Sequence, residues 1–319
     1  MRRAKATTWW VCAIVIPLAT GPVFAQDASL VPSIRQQLSA ATNDTLRADA
    51  LARLCFNLTL RDPDSARYFG ERALALARAI GQDRALADAH NNLGWLETQQ
   101  GHYPEAEVHL DSALSLFRRV DNPAFISVAL SNMGWWSDKQ GDRVGALSRF
   151  QEALEQSERA QDTASTAILL YSIGTTYSKM KEYERARSFL ERSLALERGL
   201  QRVGKEANCL LAIGNIWRSE GNAAKALEFY TLASQRYATN GDLYGAAMVA
   251  ENSGDLFVDG DPKKALVQYQ KALADYETLH SDADKAYILQ RIGLAQVGLD
   301  QFVDAMRSYS EGLALAHAT

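Results

Sequence analysis

Asn92-Leu93-Gly94-Trp95-Leu96, then Gln100-Gly101-His102-Tyr103-Pro104-Glu105-Ala106, then Leu110, Ala113 and Leu114, together form one structural unit. Gly101 suits the left-handed residue on which a helix commonly ends, and Pro104 suits the first turn of the next one. Beyond the turn, Ala106, Leu110, Ala113 and Leu114 recur at helical intervals and share one face. Glu105, Asp111 and Arg118 occupy the opposite face. The unit therefore reads as two helices joined by a short turn.

The unit returns along the chain. Gly94, Gly134, Gly174, Gly214, Gly254 and Gly293 are spaced 40, 40, 40, 40 and 39 residues apart. Ala66, Ala106, Ala146, Ala186, Ala226, Ala265 and Ala305 keep the same period. Seven residues after each alanine stands another small residue: Ala73, Ala113, Ala153, Ser193, Ala233, Ala272 and Gly312. The single deletion falls in the turn Asp259-Gly260-Asp261-Pro262, where it shortens a loop and leaves the helical phase intact. Small residues at a fixed interval predict a close crossing of glycine on the first helix with alanine on the second, flanked by larger neighbours.

This pattern resembles the tetratricopeptide repeat over residues 47 to 319, in windows 47-86, 87-126, 127-166, 167-206, 207-246, 247-285 and 286-319. The period is longer than the usual 34 residues, as in the extended repeats of kinesin light chains and several bacterial regulators. The resemblance implies an all-α fold: a right-handed superhelix, an α-α solenoid of about seven helix pairs. The first window departs from the pattern, with Leu54 in the glycine place. Asp62-Pro63-Asp64-Ser65-Ala66-Arg67-Tyr68, followed by Ala73-Leu74, is similar to the opening repeat of exported sensor regions of bacterial two-component histidine kinases of the Bacteroidetes type. No kinase segment follows in this sequence.

In this family the first helices line a concave groove. Carried over by position, the candidates for partner binding are Asn91, Trp95 and Thr98, then Ser131, Trp135, Asp138 and Lys139, then Tyr171, Thr175 and Lys179. Asn215, Arg218, Glu251, Asp255 and Gln290 follow. Trp95 and Trp135 occupy equivalent places, so their indoles either stand side by side for a ligand or pack between the helices. Lys139, Lys179 and Arg218 precede Glu251 and Asp255, a change of sign that suits either a ligand of mixed charge or a solvated surface. The lysine of the chaperone-binding carboxylate clamp is missing from the equivalent places Asn91, Ser131, Tyr171, Leu211, Glu251 and Gln290, so a chaperone C-terminus is not expected.

Composition and the remaining motifs narrow the function classes. The 319 residues include 47% hydrophobic side chains, 3 Cys and 7 Pro, which excludes collagen-like, disulfide-scaffold and disordered chains. A net charge of -4 gives no broad basic surface, so no nucleic-acid partner is expected. His90, His102, His109, His280 and His317 form no helix-spaced pair, with His102 and His109 on exposed faces, so no metal is expected. No glycine-rich phosphate loop and no Gly-x-Ser-x-Gly elbow are present; Ser193 occupies a packing slot. The expectation is a non-enzymatic, cofactor-free scaffold for a peptide or protein, with a sensory input module working with a membrane signalling kinase as the alternative.

The two ends carry their own expectations. Arg2, Arg3 and Lys5 precede the apolar Trp9 to Leu18, and Val23-Phe24-Ala25 matches a signal-peptidase site, which predicts cleavage after Ala25 and a periplasmic chain. Losing those three basic residues leaves 31 basic against 38 acidic residues, a net charge of -7. The alternative is an uncleaved membrane anchor from Thr7 to Ala25. Residues 26 to 46, with Leu30, Ile34, Leu38 and Leu46, predict an N-terminal capping helix. Phe302, Tyr309, Leu313 and Leu315 repeat the apolar pattern of internal second helices, so a partner domain, a second chain or a longer ancestral sequence would cover that face. Cys55 and Cys209 lie four repeats apart and are expected as buried thiols, not a disulfide.

Overall fold

The computed structural model describes residues 30–318. Among them are fifteen helices and no strand. A first helix, α1 (Leu30–Ala40), is followed by seven pairs: α2 (Asp44–Leu58) with α3 (Pro63–Ile80), α4 (Asp83–Gln100) with α5 (Tyr103–Val120), α6 (Pro123–Lys139) with α7 (Arg143–Arg159), and α8 (Thr163–Lys179) with α9 (Tyr183–Gly199). Then come α10 (Val203–Ser219) with α11 (Ala223–Asn240), α12 (Leu243–Phe257) with α13 (Pro262–Thr278), and α14 (Asp282–Val297) with α15 (Phe302–Ala318). Each pair starts three or four residues ahead of the window read from the sequence. Asn43, Asp62, Asn122, Asp162 and Asp242 each accept a backbone N–H of the helix they open.

The stretch expected as a single capping helix is divided. Asn43 accepts from the Leu46 amide and starts α2, so Leu46 belongs to α2 and is exposed, while Ile34 is the buried residue of α1. The leader, its cleavage site and the anchor alternative lie outside the described residues. No described helix is long and apolar enough to cross a membrane.

The glycines work differently from the expected glycine-on-alanine crossing. A Cβ built on Gly94 would lie 2.8 Å from Leu110 Cγ, one on Gly134 2.5 Å from Phe150 Cε1, and one on Gly214 2.6 Å from Tyr230 Cδ1. Each glycine makes room for the large residue four places after the alanine, while the alanine itself is sealed in the core. The first pair exchanges the sides. Leu54 takes the glycine place, and Gly70 takes the large place, where a Cβ would lie 2.6 Å from Leu93 Cδ2 and 2.8 Å from Cys55 Sγ.

Turns repeat as faithfully as the crossings. Gly101, Gly141 and Gly221 are left-handed, with φ of 79°, 83° and 79°, and the equivalent Lys181 takes the same conformation at φ 63° without glycine's freedom. At the shortened turn, Gly260 does not adopt a positive φ, and Asp261 N donates to Phe257 O at 2.7 Å to close the turn one residue earlier.

Curvature follows from unequal contact. First helices of successive pairs pack on each other from α2 through α12, whereas second helices pack only on first helices. The first helices therefore lie inside the curve, and between the layers a large central cluster of buried side chains runs from α4 to α12, with smaller clusters towards either end. Cys55 and Cys209 are separate buried thiols, each pushed up to about 12 by burial.

Candidate functional site: the inner wall

The inner wall is built by residues at fixed offsets from each glycine. Residues two or three before it, four or five after it and, in α12, one after it make the links between neighbouring first helices. Asn132 Nδ2 donates to Asn91 Oδ1 at 2.9 Å, joining α6 to α4. Lys179 Nζ stands 2.6 Å from Asp138 Oδ2, joining α8 to α6. Arg218 Nη1 stands 2.9 Å from Asp255 Oδ2, and Arg291 also pairs with Asp255, joining α10, α12 and α14.

Those pairs correct the sign change read from the sequence. Lys179, Arg218 and Asp255 neutralise charges on adjacent pairs, so the wall carries linked ions instead of a positive half and a negative half. Such half-exposed pairs add modest stability and fix the spacing of neighbouring helices. Lys139 remains exposed.

The aromatic platform is also corrected. Trp95 and Trp135 are only 1% and 3% exposed, and Trp135 meets the Phe150 ring edge-on at 5.2 Å between centroids. Both indoles lie in the core, in the same buried cluster as Leu110 and Phe150 of the second helices. Asn91, Thr98 and Ser131 are buried too, and Thr98 Oγ1 donates to Gly94 O at 2.8 Å. The N-terminal part of the expected site is therefore interior.

The accessible wall begins farther along. Tyr171 and Thr175 are half-buried, with Thr175 Oγ1 donating to Ser172 O at 3.0 Å; Gln290 is exposed. Asn215 Oδ1 accepts from Tyr230 Oη at 2.6 Å, and Asp255 Oδ1 accepts from Tyr269 Oη at 2.8 Å. Glu251 Oε2 accepts from Tyr276 Oη at 3.2 Å. Burial and then the Asp255 charge push the Glu251 carboxyl up to about 7, against the smaller lowering by Tyr276 and Arg291.

Two relationships were missed by sequence reading. Arg291 lies two residues before Gly293, a place held by Asn or small residues in other pairs, and its match with Asp255 36 residues earlier was the available signal. His109 is half-buried, not exposed, and its Nδ1 stands 3.0 Å from His90 Nδ1. The fourth and fifth pairs hold apolar residues there, Leu170 with Phe189 and Leu210 with Phe229, whereas Arg149, Gln268 and Ser308 take the place of His109 in the third, sixth and seventh. Burial, then His109 and Arg78, push His90 down to about 4. Among the described residues, no three His, Cys, Asp or Glu side chains gather as a metal site.

Residues 44–119 and 124–198 match the family model of the tetratricopeptide repeat, so α2 through α9 carry tetratricopeptide repeats. No curated protein matches the sequence. Among solved structures, the chain is similar to aspartyl phosphate phosphatase F from Bacillus subtilis, at 15% identity and a TM-score of 0.64, over 90% of this chain and 74% of that one. It is similar to a Rap protein complexed with Competence and Sporulation Factor, at 12% identity and a TM-score of 0.65, over 91% and 80% of the two chains. It is also similar to NprR in complex with its cognate peptide NprX, at 14% identity and a TM-score of 0.56, over 82% and 76%. These likenesses establish the tetratricopeptide-like α-solenoid fold.

Proposed function

We propose that the chain is a non-enzymatic scaffold that holds an extended peptide or protein segment along its inner wall. The observation that carries this reading is the half-buried polar row Tyr171, Thr175, Lys179, Asn215, Arg218, Glu251 and Asp255 on successive first helices. A peptide laid along the curve meets hydrogen-bonding groups repeated from helix to helix, on a wall held in place by the packing behind it. The Rap and NprR structures, each solved with a bound factor or peptide, support the same use of the fold. The leader pattern in residues 1–25 supports export to the periplasm, with an N-terminal membrane anchor as the alternative.

A photo-crosslinking residue placed at Thr175 or Asn215, compared with one on the outer face at Val267, tests the reading in the native envelope. Capture of the same partner from the two inner positions and not from Val267 supports it. Capture from Val267 alone overturns it. The second reading, a sensory module, rests on the Asp62 to Leu74 resemblance; there, the captured partner is a histidine kinase whose phosphorylation changes when the chain is added.

A further inference from the structure

The close packing of successive first helices stops at α12, and the long Arg291 side chain of α14 reaches across to Asp255. Beside that bridge, two carboxylates are held by neutral donors. Glu251 Oε2 accepts from Tyr276 Oη at 3.2 Å, and Asp284 Oδ2 of α14 accepts from Ser281 Oγ at 2.6 Å. Among the described residues neither forms an ion pair, whereas Asp138 and Asp255 are matched by Lys179, Arg218 and Arg291. Arg291 is taken up by Asp255, so it lowers the Glu251 carboxyl less than Asp255 raises it.

Aromatic rings enclose this uncompensated charge. Tyr244, seven residues before Glu251, shares its face of α12, and Asp284, Tyr287 and Arg291 recur at helical spacing on α14. The Tyr244 and Tyr276 rings meet edge-on, with centroids 5.9 Å apart. Burial, then Asp284 and Glu251, push the Tyr244 hydroxyl up; burial, then Glu251, push that of Tyr287 up. Tyr276 is sealed behind the carboxylate, while Tyr244 is 39% exposed and Glu251, Asp284 and Tyr287 are half-buried, so the recess is open on one side.

This chemistry selects a cation. A ring face attracts positive charge, and a carboxylate partly withdrawn from water attracts it more strongly than an exposed one. A neutral or acidic group would leave the Glu251 charge as unfavourable as burial and Asp255 make it, whereas a cation beside it favours the charged form again. Resting on the assignment of the inner wall to a peptide, we propose that the recess between α12 and α14 takes a lysine or arginine side chain of the bound segment.

The test uses the full chain and fluorescein-labelled peptide mixtures with both ends capped, in which random uncharged residues surround one fixed lysine, arginine, norleucine or glutamate. Fluorescence polarisation should show the lysine and arginine mixtures binding about tenfold more tightly than norleucine, with glutamate weakest. Glu251→Gln, which keeps an acceptor for Tyr276, should abolish that preference with circular dichroism unchanged. Glu228→Gln, which removes an exposed acid from α11, should retain it and so separates the recess from general attraction to an acidic chain. A photo-crosslinking residue at Thr175 reports the inner wall independently. Crosslinking there with no preference for lysine or arginine, or a preference that survives Glu251→Gln or is lost equally with Glu228→Gln, overturns the proposal and spares the inner-wall reading. No crosslink from any mixture overturns both.

Discussion

Tyr230 Oη donates to Asn215 Oδ1 at 2.6 Å, past the bare Cα of Gly214. One residue of the first helix makes the space, and its neighbour takes the hydroxyl. The relationship recurs one pair on, with Tyr269 and Asp255 beside Gly254. The glycine period thus positions both the core ring and the polar group on the inner wall.

Gly174→Leu overpacks its crossing. Even its Cβ would lie 2.7 Å from Leu190 Cγ and 3.1 Å from the Ala186 carbonyl oxygen, which belongs to backbone and cannot rotate away. The expected loss is about 1–3 kcal/mol, read from chemical denaturation, and Tyr230→Phe should cost about 1 kcal/mol by removing the Asn215 bond.

Lys181→Gly should stabilise the chain. The left-handed backbone at φ 63° strains lysine, whereas equivalent turns hold glycine. Relief of about 1–2 kcal/mol, partly offset by the greater freedom of glycine in the unfolded chain, leaves a gain near 0.5 kcal/mol. A melting midpoint lower than the parent's would contradict the turn assignment.

Asp255→Ala should be more damaging than Lys179→Ala. Asp255 binds Arg218, Arg291 and Tyr269 together, so its loss strands three donors between α10, α12, α13 and α14. About 2 kcal/mol is expected there, against less than about 1 kcal/mol for the single half-exposed Lys179–Asp138 pair. Hydrogen exchange should show the Asp255 variant loosening the last two pairs first.

Two groups with shifted titration give opposite pH dependence. Glu251 is raised from 4.5 to about 7 on folding, so its contribution is full below 4.5 and is lost as pH rises through 7. His90 falls from 6.5 to about 4, so its contribution is full above 6.5 and is lost as pH falls through 4. Glu251→Gln should therefore flatten the loss on the alkaline side, and joint His90→Leu and His109→Phe the loss on the acid side. Melting curves between pH 4 and 8 that keep their shape in both variants would show that neither group governs it.

The sequence was legible where one residue type served one geometric purpose. Gly101, Gly141 and Gly221 marked turns because left-handed backbone excludes most side chains. It was less legible where a residue type serves two purposes. Trp95 and Trp135 sit on the inner helices by register, yet whether an indole faces a groove or a core depends on how closely side chains from other helices enclose it. Lys179 and Arg218 looked like a charged stripe because their partners lie 41 residues before and 37 residues after them.

By itself the sequence determined the helix pairing, its period, the turns and the place of each small residue, since these follow from local backbone preference and from periodicity along one chain. Only the tertiary structure decided which side chain each glycine admits, which inner residues remain open to a partner, and which charges are already neutralised. Those outcomes depend on the separation of helices from different repeats. That separation is set by the packed volume of side chains distant in sequence.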